Sequence, residues 1–391
     1  MAFIVAAKRT PFGTFGGALK GFTPTQLGAH AAKAAIAEAG IDPSSIDSCI
    51  VGNVAQTAAD TPYLARHVAL SAGCPVEQPA LTVNRLCGSG FQSIVTGCQE
   101  IALGESSVVL TGGAENMSMS PFALRDVRWG TTLGKDLSAS DTLWEALTDQ
   151  HIKTPMAITA ENLAERFDVS KDDCDQFALS SQQRYEAAAA DGRFSAEIAP
   201  MTVKIKRKEV EMSTDEHPRA GATIDAIAKL PALFKKGGTV SAANASGICD
   251  GAGALIVASE AACSEHGLTP LAKVLSYQVS GVDPSIMGFG PVPAIHGALE
   301  RAGLTLGDMD LVEINEAFAA QYLACEKELG LDREKSNSNG GAIAVGHPTG
   351  ASGSRIMAHL THELRRTGGK YAVGSACIGG GQGIAIVIER C

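Results

Sequence analysis

Paired cysteine spacings, an excess of basic residues and long apolar runs are all missing from this sequence of 391 residues. Its ten cysteines are scattered, whereas a disulfide framework belongs to small secreted domains with regular spacings, so a reducing compartment is expected. A formal charge of -10 argues against a nucleic-acid surface, which needs Lys and Arg in excess on one face. Any anionic ligand must find local cations. The apolar run in the opening MAFIVAAKRTPFG is too short for a signal peptide or a membrane span and reads as a first strand. No cleavable presequence is visible, and the terminal ERC is not the peroxisomal Ser-Lys-Leu signal. Aromatic residues make up only 5% of the chain, so the 45% hydrophobic fraction that supplies the cores is mostly aliphatic.

What the chain has in quantity is glycine, 43 residues of it among alternating apolar runs, as expected of a soluble α/β protein with many tight strand-helix turns. Its length exceeds one ordinary core, so two or more are expected.

The sequence also repeats itself. AEAGIDPSSIDSCIVGN, from Ala37, matches ERAGLTLGDMDLVEINE, from Glu300, at an offset of 263 residues that sets Gly40 on Gly303 and Asp47 on Asp310. The same offset sets Gly88-Ser89-Gly90-Phe91 on Ala351-Ser352-Gly353-Ser354, and Ala114 on Cys377. Each copy reads helix, strand, helix, strand, helix, strand. Copy one opens a helix with Thr23 as cap and Pro24 in the first turn, and Gly40 stops it; Pro293 and Gly303 take those parts in copy two. The strands DSCIVGN, PALTVN and SVVLTGG are short and apolar, the pattern of strands covered on both faces. Such alternation implies right-handed parallel crossovers and two sheets stacked about a pseudo-twofold axis, with ligands at the crevice where the strand ends of both copies meet. Between the copies, residues 118–247 break the pattern. This insertion carries a helix from Ser170, capped by SKDD, to about Ala190, and a locally basic stretch from Met201 to Gly238 with eight Lys or Arg against five Asp or Glu.

Chemistry concentrates at a few places. Cys87, in NRLCGSG, stands just before a helix whose free N–H groups and positive end would lower its thiol pKa and make it a nucleophile. The other scattered cysteines, Cys49, Cys74, Cys98, Cys174, Cys249, Cys263, Cys325 and Cys391, read as small buried apolar residues. His347, in the glycine-rich GGAIAVGHPTGASG, falls on Asn84 of copy one and could take the Cys87 proton or donate to an oxyanion. Cys377, in SACIGGGQG, ends a strand where a second thiol could move a proton on carbon. Asn315, in VEINEAFA, could hold a water or a carbonyl, or else cap a helix. His359 and His362 stand three apart on a helix with no third ligand, so no metal site is expected; the remaining histidines read as solvated or structural.

In order and spacing, NRLCGSGFQS, SAANASGICDGAGA, NEAFAAQ, GGAIAVGHPTGASG and CIGGGQG resemble the motifs of the thiolases over essentially the whole chain. ALTDQH, DPSIMGFGPVPAI and GGKYAVGSACIGGGQGIA are most similar to the 3-ketoacyl-CoA-cleaving branch of that family. The resemblance implies the thiolase fold, two duplicated halves stacked as a layered αβαβα sandwich, with the first half at 1–117 and 248–268, a CoA-binding loop domain at 118–247, and the second half at 269–391. It implies Cys87 as acyl-accepting nucleophile, His347 as its base and Cys377 as acid/base at the α-carbon. His347 and a water held by Asn315 would form one oxyanion hole, and the N–H groups of Cys87 and Gly379 the other. Arg219 and Ser246 would contact CoA, and Met156, Met287 and Phe318 would line the acyl pocket. Coenzyme A would be a co-substrate, with no permanently bound cofactor and no metal. The implied reaction is thiolytic cleavage of 3-ketoacyl-CoA in fatty acid β-oxidation, reversible to condensation of acetyl-CoA. An acetoacetyl-CoA-specific thiolase, or a thioesterase using the same cysteine, is the alternative. The family implies a homodimer or homotetramer, and the branch implies the mitochondrial matrix, with the cytoplasm as alternative. Three positions depart from the family pattern: Pro155, where strictly short-chain members have histidine; Thr349, where an apolar residue is usual; and Asn116, where serine is common.

Overall fold

The computed structural model describes all residues, 1–391. Copy one supplies β1 (Ala2–Arg9), α1 (Pro24–Ala39), β2 (Ser48–Gly52), α2 (Leu64–Ala72), β3 (Ala80–Val83), α3 (Ser89–Leu103) and β4 (Val108–Asn116). The insertion holds α4 (Met156–Arg166), α5 (Lys171–Ala190) and a hairpin of β5 (Met201–Ile205) and β6 (Lys208–Met212). Then follow β7 (Cys249–Ser259), β8 (Ala272–Gly281), α6 (Pro291–Ala302), β9 (Leu311–Ile314), α7 (Ala319–Leu329), α8 (Ser352–Thr367), β10 (Tyr371–Ile378) and β11 (Gln382–Arg390).

The strand order is β9-β10-β11-β8-β1-β7-β4-β2-β3. Parallel pairing joins β2 to β3 and β4, and β9 to β10, while the other neighbours are antiparallel. The two copies are therefore joined edge to edge by β1 and β8, over the three pairs from Ala2↔Val274 to Ile4↔Ala272. Stacking remains, because the joined sheet folds its halves around a shared layer. Along β7, Ala252, Ala254, Ile256 and Ala258 face α1 and α2, whereas Leu255 and Val257 face α3 and α8. This period of two is what a strand with both faces covered requires. On β11, Ile384, Ile386 and Ile388 meet α3 and α8, and Ala385 and Val387 meet α6 and α7. The layers run α, β, α, β, α.

Glycine sets the spacing of the middle layer at one matched pair. Gly90 on α3 and Gly353 on α8, 263 residues apart, lie where the two helices touch. A Cβ on Gly90 would come 2.5 Å from Ser354 N, and one on Gly353 would collide with Phe91 N. Both obstacles are backbone and cannot rotate away. Alanine at 353 would gain about 1 kcal/mol of helix propensity, but the overpacking costs about 2–3 kcal/mol. Gly353→Ala is accordingly expected to lower the thermal or denaturant midpoint; an unchanged midpoint would show that the helices can separate at no cost.

Helix signals in the sequence mark real ends. Thr23 caps α1 with a capping box and Gly40 closes it in the left-handed conformation, and Ser170 and Asp173 form the box that opens α5. In copy two Pro293 stands in the first turn of α6, which Pro291 opens, and Gly303 closes it in the left-handed conformation. Two expectations need correction. The middle strand of copy two shrinks to one bridge, Val312↔Ser336, because the Asn337 side chain takes the N–H and C=O of Ile314 that a ladder would have used. And β3 is a sheet edge, not a strand covered on both faces: it has a neighbour on one side only, and Leu81 is 47% exposed.

Candidate active site

The turn 84–90 places Cys87 directly before Gly-Ser-Gly. Asn84 Oδ1 accepts the Leu86 N–H at 2.9 Å, and Ser89 Oγ accepts from Arg85 N–H and donates to Leu86 C=O. These bonds hold Leu86 at φ 48°, a left-handed conformation that costs a branched residue roughly 1–3 kcal/mol and persists only where surroundings impose it. One further turn, Leu86–Gly88, then leads into α3. Gly88 lets Ile378 and Ile384 of copy two pack against the turn, so Cys87 is delivered to the strand ends of the other copy.

There the two copies enclose a cavity of about 90 Å³ that opens into a cleft of about 550 Å³. Cys87, His347, Met156, Met287, Phe318, Ser246 and Gly379 all line the inner cavity. Cys377 lies behind its wall, 1% exposed and packed with Met287, Ala317, Met156 and Phe318. Asn315 is buried beside His347, with Nδ2 3.3 Å from His347 Nε2 and Oδ1 without a partner in the chain. Arg219 is not on the wall: its side chain is exposed and its N–H bonds Gln182 Oε1. His217, two residues earlier, is on the wall of the outer cleft with Trp144 and Phe234, a place the sequence did not single out. No lysine of the basic stretch from Met201 to Gly238 lines either space; Met201 and Val203 anchor the β5–β6 hairpin among the outer residues near α1.

The imidazole has one tautomer consistent with its bonds. His347 Nδ1 is 2.6 Å from Ser352 Oγ, whose hydroxyl donates to the Pro348 carbonyl. The hydroxyl is thus an acceptor toward Nδ1–H, and Nε2 is left unprotonated. Burial, with a smaller push from the Arg355 guanidinium, lowers His347 to about 4. The expectation that the helix end would lower the Cys87 thiol does not hold. Enclosure pushes it up to about 11, against the N–H groups of Gly379 and of Cys87 itself, and the Glu115 carboxylate adds to the rise. Cys377 is raised well above its ordinary value by burial and then by Cys87 and Cys325. A neutral thiol beside a neutral imidazole that can accept is a nucleophile with its base, charged only as a bond forms.

Of the residues that could hold a metal, His359 is engaged with Glu197 and Asn339, and His362 with the Ala7 carbonyl. No group of three or more His, Cys, Asp or Glu is placed to bind an ion. No helix is long and apolar enough to cross a membrane.

The sequence reading passed over Glu115, the fourth residue of GGAEN. It is fully buried and accepts from Val54 N–H, Ala55 N–H, Asn53 Nδ2, Gly350 N–H and Thr349 Oγ1. The readable signal was in the duplication, where the constant offset sets this carboxylate on Ile378.

Comparison with known proteins adds the following. Residues 2–261 match the family model described as thiolase, N-terminal domain, and residues 268–390 the one described as thiolase, C-terminal domain. A human protein named 3-ketoacyl-CoA thiolase, mitochondrial, is 62% identical over 387 residues, covering 99% of this chain and 98% of its own. The crystal structure of human mitochondrial 3-ketoacyl-CoA thiolase superposes with a TM-score of 0.99 at 61% identity, over 100% of this chain and 99% of that one. A structure of the human enzyme in complex with CoA gives 0.98 at 61% identity, over 100% and 98%.

Proposed function

This chain belongs to the thiolase family, with both family domains and full-length relatives above 60% identity, and from that premise we propose the roles of its residues in the acyl transfer. The chain is a CoA-dependent acyltransferase with thiolase activity. Its substrate class is 3-ketoacyl-CoA, as in the relatives' names. The observation that carries the assignment is the enclosure of Cys87 and His347, one from each copy, in one cavity with Cys377 behind its wall.

In the cleavage direction, the Cys87 sulfur attacks the 3-keto carbon while its proton passes to His347 Nε2. The bond between carbons 2 and 3 then breaks. Its electron pair leaves as the enolate of acetyl-CoA, and Cys377 returns a proton to carbon 2. CoA thiol gives its proton to the Cys377 thiolate and attacks the acyl group on Cys87; as the acyl–sulfur bond breaks, His347 returns its proton to the Cys87 sulfur and every group is reset. The oxygen of the attacked carbonyl is stabilised by the N–H groups of Cys87 and Gly379, the two backbone donors that pull the Cys87 thiol down against burial. The thioester oxygen of the enolate is stabilised by protonated His347 and a water accepted by Asn315 Oδ1, a buried acceptor otherwise unpartnered. Asn315→Ala is expected to lower kcat by about 10²–10³, the usual loss for one donor of an oxyanion hole, with a smaller change in KM for CoA. Steady-state kinetics read both; an unchanged kcat removes Asn315 from the site.

Pantetheine would enter along the outer cleft past Ser246, Trp144 and Phe234. Arg219 lies on the same loop as His217 and serves the phosphates outside the cleft. Residues 118–247 act as the CoA-binding loop domain between halves at 1–117 with 248–268 and at 269–391. Met156, Met287 and Phe318 bound the acyl group, and Pro155, in place of the histidine of strictly short-chain members, favours acyl groups longer than acetyl over acetoacetyl-CoA alone. The exposed edge at β3 and exposed Trp129 and Leu133 suit an assembly of two or four copies. The mitochondrial names of the relatives support the matrix rather than the cytoplasm. Side-by-side thiolysis of acetoacetyl-CoA and longer 3-ketoacyl-CoA substrates tests the function: cleavage dependent on added CoA supports it, and release of free acid by water would make the chain a thioesterase.

A further inference from the structure

A fully buried carboxylate without a cation is an expensive feature, and Glu115 is one. Its five donors come from two places. Val54 N–H, Ala55 N–H and the Asn53 amide lie just past the end of β2, at 3.0, 3.1 and 3.0 Å. The Gly350 N–H and the Thr349 hydroxyl lie just after His347, at 2.9 and 3.0 Å. Val54, Ala55 and Thr349 themselves line the cavity around Cys87. The carboxylate is thus a clamp between the wall that copy one contributes and the segment that carries the imidazole.

We propose that Glu115 is a positioning residue for the thiolase reaction, tying the segment 347–350 to the strand end 53–55 so that His347 is held in register with Cys87. This rests on the reading of His347 as the base. Thr349, a departure from the family pattern, gains a reason: an apolar residue there would withdraw one of the five donors. The clamp needs the ionised form, because all five neighbours donate, and a protonated carboxyl would turn one oxygen from acceptor to donor against them. Burial raises Glu115 to about 7 against the pull of those donors, so the clamp is set above neutrality and slackens below it. The titratable group that faces it is Cys87, on the turn 84–90, whose thiol the Glu115 carboxylate pushes up; His347 stands two residues before Thr349 on the bound segment. Opposite it on β7 stands Gly251, without charge, and the strand end 53–55 offers only amide donors.

The test uses the full-length enzyme, thiolysis of a 3-ketoacyl-CoA, and kcat and KM followed across the pH range. Wild type is expected to lose kcat on the acid side of about pH 7. In Glu115→Gln, kcat should fall about ten- to hundredfold, as small misplacements of a catalytic group do; KM for CoA should change far less, and the acid limb near neutrality should vanish. Glu115→Asp should recover part of kcat and the limb. Thr349→Val, which removes one donor and keeps the carboxyl, should move the limb to higher pH, and it decides the matter if Glu115→Gln does not fold. The inference is overturned if Glu115→Gln keeps wild-type kcat, if its acid limb persists, or if the limb in Thr349→Val stays in place. His347→Ala separates the two readings. Wild-type turnover there defeats the assignment of the base, whereas an inactive His347→Ala beside a wild-type-like Glu115→Gln defeats this inference alone.

Discussion

Cys87→Ala abolishes thiolysis, with turnover expected to fall by about 10⁴-fold or more while the protein remains folded. Losses of that order follow the removal of a nucleophile from a set of groups that act together. The expectation is large because no other group in the inner cavity can take its place. His347 serves as the base and has no base of its own, and burial with the neighbouring thiols holds Cys377 in its protonated form, suited to proton transfer rather than attack. The substitution removes one sulfur at a site that keeps some exposure, so little packing is lost. Binding of CoA, measured by calorimetry, should persist, since Ser246 and the outer cleft are untouched. Appreciable cleavage by the alanine variant would mean that the acyl group never resides on Cys87.

Cys377→Ala produces the second large effect, and a selective one. Proton transfer at the α-carbon contributes about 10²–10⁴ in rate, so both cleavage of 3-ketoacyl-CoA and condensation of acetyl-CoA should fall by that factor. Acylation of Cys87 by a simple acyl-CoA breaks no carbon-carbon bond and needs no proton on carbon. It should continue, releasing CoA in a single burst of about one equivalent per site, the fingerprint of an accumulating acyl-enzyme. A variant that loses the burst together with the overall reaction would show that Cys377 supports the nucleophile instead. Thiol titration of released CoA in the first turnover distinguishes the outcomes.

Much of this was written in local sequence. The 263-residue repeat showed two copies, and the pair Gly90 and Gly353 shows why it had to be kept, since both helices touch through these positions. The caps at Thr23, Gly40 and Ser170 are local hydrogen-bond chemistry and sit where the sequence puts them. Cys87, His347, Asn315 and Cys377 stood out because reactive side chains next to glycine-rich turns have few structural uses. What was illegible depends on distant neighbours. The rise of the Cys87 thiol comes from enclosure by the other copy, and no window around NRLCGSG contains that information. Glu115 looks like an ordinary strand end because its donors lie about 60 and 235 residues away in sequence. The edge position of β3 depends on which strands found partners, and the missing middle strand of copy two on one asparagine side chain that captured the backbone of Ile314. Arg219 belongs to the same group: its family motif is local, whereas its distance from the cleft wall is set by how the insertion folds.

The central claim is that an acyl group passes through the Cys87 sulfur in a cavity shared by the two copies. Mass spectrometry of the enzyme quenched shortly after mixing with acetyl-CoA tests it most directly. The account predicts one acetyl group per chain, located on the peptide that contains Cys87 and removed when CoA is added. An acetyl group found on Cys377, or turnover with no acylated peptide at any time, would contradict it.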